Sequence, residues 1–404
     1  MNIVYNVVMV LCFLFSMYFV ITGLFTFKKR KKKLISNKEH KFAILIPCRN
    51  EEEVIASLIE SINKLDYPKH LFDCYAIPNN CTDNTKEVAL KKGAKIIEID
   101  KPVKSKGEVL KYTFAYLQNS DYDAYVIFDA DNIVHQNFLK AMNDTLNEGY
   151  LVAQGFRDAK NPSDNYLTGS YTMFYYLQNV FYNNSRMVLK RSSAINGTGF
   201  CIKKRVIDEY GFPVKTLTED SEFTGICALN NIKIAFAKDA ITYDEHPTEF
   251  KVSWDQRKRW SSGCFECLKR LGTSLTKNFW KKGSFLSFDC LLYYLSPLVQ
   301  VISFALPLLM VIFKFIKGLT MDMIVIDFSS LYFFALFYIG SIILNIFVVK
   351  LLHKKIKDHY KGILGFSFFI LTWIPINIIC LFKKTKRWEQ VRHTRNVNIE
   401  NILN

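Results

Sequence analysis

Tyr125-Val126-Ile127-Phe128-Asp129-Ala130-Asp131-Asn132 sets an apolar run of strand type against two carboxylates one residue apart. Strand side chains alternate between faces, so residues i and i+2 point the same way. A strand running through Asp131 presents both carboxylates to one site. Mg²⁺ or Mn²⁺ takes carboxylate oxygens and completes its shell with water or phosphate. Paired acids at the carboxyl end of a buried strand are thus a candidate seat for a metal and a diphosphate. The competing reading is a polar loop after a strand, so the surroundings must decide.

Apolar runs flank a middle of ordinary soluble composition. The chain has 404 residues, is 50% hydrophobic and carries a net charge of +16. Residues 3–27 hold no charge and are long enough to span a bilayer. Lys28-Lys29-Arg30-Lys31-Lys32-Lys33 follows the run rather than preceding it. That order predicts an uncleaved anchor whose chain continues into the cytoplasm, its basic run against anionic headgroups. Beside a span, lipid is the expected partner of these charges, not nucleic acid. The ten cysteines are scattered, and Cys264-x-x-Cys267 stands alone, so neither a disulfide framework nor a zinc site is expected.

The soluble stretch alternates strand and helix. Strands are expected over Lys41–Pro47, Asp73–Ile77 and Lys95–Ile99. Helices follow on Val54, Leu58, Ile62 and Leu65, on Thr85–Lys92, and from Lys106 toward Gln118. Such βαβ spacing predicts a mostly parallel sheet covered by helices, with ligands beyond the strands' carboxyl ends. Asn50, Asn79, Lys106, Asp129 and Asp131 all fall just past such ends. No G-x-G-x-x-G or Walker lysine loop is present, which argues against a dinucleotide enzyme or P-loop ATPase.

Three later stretches complete the pattern. Tyr171–Tyr182 is dense in aromatics, either facing the core or lying at a membrane interface. Thr218-Glu219-Asp220-Ser221-Glu222 is acidic, either a helix N-terminus or the source of a general base. Gln256, Arg259 and Trp260 share one helical face, where an arginine fork suits diphosphate and an indole suits a sugar ring. Apolar runs at Phe285–Ile316, Ile324–Val349 and Ile363–Phe382 read as spans or interfacial helices, the first starting at an interface because of Asp289. Lysines in Lys350–Lys361 and the basic tail both read as cytoplasmic, so a bend at Pro375 is expected in the last run, the alternative being two short passes within one apolar stretch. Intramembrane charges are too scarce for a transporter or channel.

Taken in order, Ile46-Pro-Cys-Arg-Asn-Glu51, Asp129-Ala-Asp131, Thr218-Glu219-Asp220 and Gln256-x-x-Arg259-Trp260 resemble the membrane-embedded family 2 glycosyltransferases. That group includes the cellulose, hyaluronan and poly-N-acetylglucosamine synthases, and the likeness covers roughly residues 40–270. Lys106-Gly107, Gly197-Thr198-Gly199 and Tyr243-Asp-Glu-His-Pro247 are similar to family features as well. The resemblance implies an α/β GT-A fold and a nucleotide-diphosphate sugar, by preference a UDP-sugar. It implies that Asp129 and Asp131 hold Mg²⁺ or Mn²⁺ and that Asp220, with Glu219 beside it, is the base. Gln256 and Arg259 would grip the diphosphate. Trp260 and Gly199 would meet the acceptor, and Asn50, Glu51, Asn79 and Lys106 would line the donor pocket. Many members have an aromatic residue where this chain has Arg49 and an aspartate where it has Asn79, although an amide still hydrogen-bonds a uracil edge.

The expected organisation is an anchor over 1–27, a basic linker over 28–41, a GT-A domain over 42–280, C-terminal helices over 281–382 and a basic tail over 383–404. The expected setting is a bacterial plasma membrane with the catalytic domain in the cytoplasm. The expected product is a β-linked polysaccharide made with inversion. The alternatives are one sugar added to a lipid and a non-catalytic scaffold. The acceptor is accordingly a glycan or a lipid, and no feature fixes an oligomeric state.

Overall fold

The computed structural model describes residues 2–32, 35–316 and 328–383, with Arg395 and Glu400. The basic tail falls largely outside the described residues, as do Lys33 and Ile324–Asp327. The alternating soluble stretch forms one eight-stranded sheet: β1 (Phe42–Cys48), β2 (Phe72–Pro78), β3 (Lys95–Ile96), β4 (Ala124–Ile127), β5 (Ile133–Val134), β6 (Val152–Ala159), β7 (Phe200–Lys203) and β8 (Ile234–Asp244). Their order is β3-β2-β1-β4-β7-β6-β8-β5. β1 through β4 pair in parallel, as the βαβ spacing predicts. β7 runs antiparallel to both β4 and β6, while β8 is parallel to β6 and antiparallel to β5.

Period-two alternation explains why the sheet is buried on both faces. Phe42, Ile44, Ile46 and Val126 enter one core, and Ala43, Leu45, Tyr125 and Ile127 enter the other. α1 (Asn2–Leu24) is the apolar N-terminal helix; α2 (Ile55–Asn63), α3 (Thr85–Lys91) and α4 (Lys106–Tyr116) are the parallel crossovers. α5 (Phe138–Asn147) packs against β6 and β8. Three expected boundaries move. The third strand stops at Ile96, where Lys95–Ile99 is expected. The fourth helix ends at Tyr116. The strand of the opening stretch stops at Ile127, so Asp129 and Asp131 lie in the following turn and strand alternation does not orient them.

The aromatic stretch is core-facing and also meets the apolar helices. α6 (Tyr166–Leu177) buries Tyr171, Tyr175 and Tyr176, and continues through a π turn (Gln178–Asn184) into α7 (Ser185–Val188). α8 (Lys204–Tyr210), α9 (Glu219–Leu229) and the long α10 (Phe250–Lys282) lead to α11 (Phe285–Ile316), α12 (Phe328–Leu351), α13 (Tyr360–Leu371) and α14 (Trp373–Phe382). α6 and α13 cross at Gly169 and Gly362, where a Cβ on Gly169 would lie 2.6 Å from the Gly362 backbone. Alanine favours a helix over glycine, yet backbone cannot yield as a side-chain end does. Gly169→Ala is therefore expected to destabilise the protein by about 1–3 kcal/mol. An unchanged thermal midpoint of the purified variant would count against this crossing.

By length and composition, three stretches among the described residues can cross a membrane: Ile3–Phe27, Phe285–Leu309 and Tyr360–Phe382. Asp289, at the start of the second of these, is buried within the protein. Its side chain is 2% exposed and pairs with Arg186 at 3.4 Å and Arg191 at 3.6 Å, with the Tyr18 hydroxyl also donating to it. These charges are buried as partners, tying α1 and α11 to α7 and the chain just after it. The last stretch is broken at Thr372, three residues before Pro375. The buried Arg257 guanidinium donates to Phe369 O at 3.2 Å and Thr372 Oγ1 at 2.6 Å at that break. Lys361 donates to Asp164 O at 3.0 Å, and Arg395 pairs with the Asp164 carboxylate.

Candidate active site

Loops at the carboxyl ends of β1, β2 and β4 converge with the N-terminus of α9 and one face of α10 on a cavity of about 560 Å³. Glu51, Asn79, Lys106, Asp129, Asp131, Glu219, Asp220, Gln256, Arg259 and Trp260 all line it. Asn50 and Gly199, both expected here, are not among the lining residues. Asn50 adopts φ 55 and accepts the Thr82 N–H at 2.7 Å, so it shapes the rim. Gly199 adopts φ 62, and its N–H donates to Ile127 O at 2.9 Å. A Cβ there would meet Thr242 at 2.9 Å, so Gly199 serves close packing within the sheet. Gly197 lines the cavity instead.

A hydrogen-bonded turn aims the acidic pair. The Asp129 N–H donates to Thr198 Oγ1 at 2.9 Å, and the Asn132 N–H returns to Asp129 O at 3.1 Å. Asn132 Nδ2 donates to Asp244 Oδ1 at 2.7 Å. Arg157 donates to the other Asp244 oxygen and to Asn196 O, with its guanidinium 4.1 Å from the Tyr175 ring centre. Sequence reasoning missed Arg157, because no local motif marks a β6 arginine, and read Tyr175 only as one of an aromatic stretch, not as part of the site. Burial pushes the Asp244 carboxyl up to about 6, against the pull of Arg157. The pair's side chains are 12% and 3% exposed. Removing one member strands the other, so Arg157→Met is expected to lower stability by about 3–5 kcal/mol. Equilibrium unfolding of Arg157→Met and of Arg157→Met/Asp244→Leu should show partial recovery in the double variant.

Lys106 neutralises the cavity's acids. Its ammonium donates to Asp129 Oδ1 and to Gly197 O at 2.7 Å, and lies 3.7 Å from Glu219 Oε1. Burial works against its charge, but Asp129 and Glu219 outweigh it and hold the group above its usual range. Burial pushes Glu219 up to about 7, with Lys106 opposing, and raises Asp220 as well. Both sit in the first turn of α9, as the helix-start reading of this stretch expects, and both line the cavity. Burial lowers Arg259, while Glu219, Asp129 and Asp220 hold it cationic. Gln256 Oε1 is buried with no hydrogen-bond partner among the described residues.

The cradle fits a divalent cation carried in on a diphosphate. His246 lines the cavity and stacks on Tyr171 and Tyr175 at centroid distances of 5.3 and 5.6 Å. Its Nε2 is buried and unpartnered among the described residues, and burial with Arg157 depresses the ring to about 3, so it is neutral. A neutral imidazole is a metal ligand. No three His, Cys, Asp or Glu side chains converge at ligand spacing among the described residues. Mg²⁺ and Mn²⁺ need no such cage when substrate phosphates supply the remaining oxygens. Past Trp260 the cavity continues along α11 and α14 beside Tyr293, Pro297, Gln300, Trp373 and Asn377.

A family model described as "Glycosyltransferase like family 2" matches residues 40–263, more than half of the chain. The "Probable glycosyltransferase YdaM" of Bacillus subtilis is 30% identical over 275 residues, covering 63% of each chain. The chain therefore spans less than two thirds of that relative's length. A "Poly-beta-1,6-N-acetyl-D-glucosamine synthase" of Staphylococcus epidermidis is 22% identical over 398 residues, covering 92% of this chain and 90% of its own. Among solved structures, a mannosyltransferase from Pyrobaculum calidifontis in complex with GDP-Man and Mn²⁺ aligns with a TM-score of 0.60 at 13% identity. That alignment covers 94% of this chain and 99% of the other, so the shared fold extends through the apolar helices.

Proposed function

Because the chain belongs to the glycosyltransferase-like family 2 and has its GT-A fold, we propose that it transfers a sugar from a nucleoside-diphosphate donor, a UDP-sugar, to an acceptor hydroxyl with inversion. One observation carries the reading: Asp131, Asp220 and Arg259, distant in sequence, line a single cavity. Asp129 and Asp131 would hold Mg²⁺ or Mn²⁺, and the cation would neutralise the diphosphate. Asn79 and Glu51 sit where the nucleoside enters. Asp220 takes the proton from the attacking hydroxyl, and Arg259, with Gln256 beside it, meets charge developing on the leaving diphosphate. Trp260 offers its face to the acceptor sugar. The intact Asp129, Asp131 and Asp220 weigh against a non-catalytic scaffold.

The product we assign is a β-linked polysaccharide, made at a bacterial plasma membrane with the soluble domain in the cytoplasm. The polar amides of Gln300 and Asn377, joined at 2.7 Å, suit a glycan passing between α11 and α14. The apolar Pro297 and Ile370 in the same wall favour a second reading, a single addition to a lipid acceptor. A donor screen on the purified full chain with Mg²⁺ or Mn²⁺, followed by mass spectrometry, separates them. A polymer resistant to lipid extraction supports the first, and a chloroform-soluble glycolipid the second. Turnover of no nucleotide sugar at all would end both.

A further inference from the structure

A second cavity lies where the N-terminal helix meets the soluble domain, away from the sugar chemistry. It measures about 350 Å³ and is lined by Lys28, Lys29, Arg30 and Lys32 and by Lys238 and Asp239 of β8. Glu148, just after α5, lines it as well. Arg30 clasps Glu148 with both terminal nitrogens, Nη2 to Oε1 at 3.0 Å, and Lys32 faces Asp239 at 3.4 Å. Those pairs cancel both acids. Lys28, Lys29 and Lys238 are exposed and have no ion-pair partner among the described residues. The cavity thus keeps three uncompensated ammonium groups, contributed by segments some two hundred residues apart in sequence.

Position says what these charges meet. Thr26 and Phe27, also lining residues, directly follow α1, and the exposed Leu24, Phe25 and Phe27 continue its apolar surface. If α1 crosses the bilayer, the cavity sits at headgroup depth, opening beside acyl chains. The wall is fixed rather than fluid: Asn184, at the end of the π turn, donates to Thr26 Oγ1 at 2.8 Å. The start of the same π turn, Gln178, lines the active-site cavity and donates to Asn196 Oδ1 at 3.0 Å. π turns concentrate at functional positions, and this one touches both cavities.

We propose that this pocket binds the phosphodiester headgroup of an anionic membrane lipid, with Lys28, Lys29 and Lys238 around the phosphate. Ammonium groups recognise phosphate as point charges, and basic pockets at a membrane surface select anionic lipids over zwitterionic ones. Unlike a general attraction of the basic run to the leaflet, the pocket requires Lys238 of the soluble domain. Native mass spectrometry of the detergent-solubilised full chain tests it, with short-chain phosphatidylglycerol, phosphatidylcholine of equal chain length and inorganic phosphate as probes. The expected result is retention of phosphatidylglycerol roughly tenfold or more over phosphatidylcholine. That preference should vanish in Lys28→Gln/Lys29→Gln/Lys238→Gln. Lys238→Gln alone, on the exposed bend of β8, should weaken it several-fold and serves if the triple variant does not fold. Equal retention of the two lipids, or an unchanged preference in Lys238→Gln, overturns the proposal. Displacement of phosphatidylglycerol by millimolar phosphate also overturns it, assigning the pocket to a soluble anion.

Discussion

Replacing Asp220 with Asn is expected to cut the rate of sugar transfer by roughly 10²–10⁴-fold, the range of a lost general base. The asparagine keeps size and shape, so the first turn of α9 and donor affinity should change little. The pH profile adds a sharper test. Burial raises Asp220 above its ordinary value, and its neighbour Glu219 reaches about 7. A base with a raised pKa is protonated and idle below that pKa and competent above it. Turnover of the unmodified protein should therefore climb as pH rises toward neutrality. Residual turnover in Asp220→Asn should lose that climb, whereas Glu219→Gln should keep it with little shift, because a Glu219 that ionises only near 7 is already neutral where Asp220 loses its proton. A steady-state series across pH decides this. Activity of Asp220→Asn within tenfold of the parent would remove Asp220 from the role.

What the sequence disclosed depended on whether the determining interaction was local. β1 and β2 are readable because consecutive apolar residues must be buried on both faces of a parallel sheet, and that requirement is written into each strand by itself. Gln256, Arg259 and Trp260 are readable because helical spacing alone puts them on one face. The turn holding Asp129 and Asp131 was not, because its shape comes from Thr198, Asn132 and Asp244, brought together only by the closed sheet. Arg157 was invisible for the same reason. Asp289 looked like an interfacial residue because a lone acid in an apolar run is costly, and its partners Arg186 and Arg191 lie about a hundred residues away. The break in the last apolar stretch was legible in Pro375, but the Arg257 guanidinium that satisfies the freed carbonyl was not.

Arg257 and Arg259 sit two residues apart on α10, and their substitution should fail in different ways. Arg259→Lys is expected to lower kcat by roughly 10²–10³-fold, the usual loss when one preorganised donor to a developing anion is removed. Lysine keeps the charge, but the planar fork that matches two phosphate oxygens is gone, so an effect of that size identifies geometry rather than charge as what the leaving group needs. The fold should survive, since Arg259 faces the cavity and Glu219, Asp129 and Asp220 can accept an ammonium in its place. Arg257 faces the other way, fully buried over the Phe369 ring at 4.4 Å and bonded to Phe369 O near the end of α13. Arg257→Lys should lower the thermal midpoint of the purified protein while leaving kcat per folded molecule nearly unchanged. Measuring kcat and thermal unfolding for both variants separates the two roles. If Arg259→Lys retains full kcat, the diphosphate is held elsewhere, and the cavity's assignment as the donor site loses its cationic anchor.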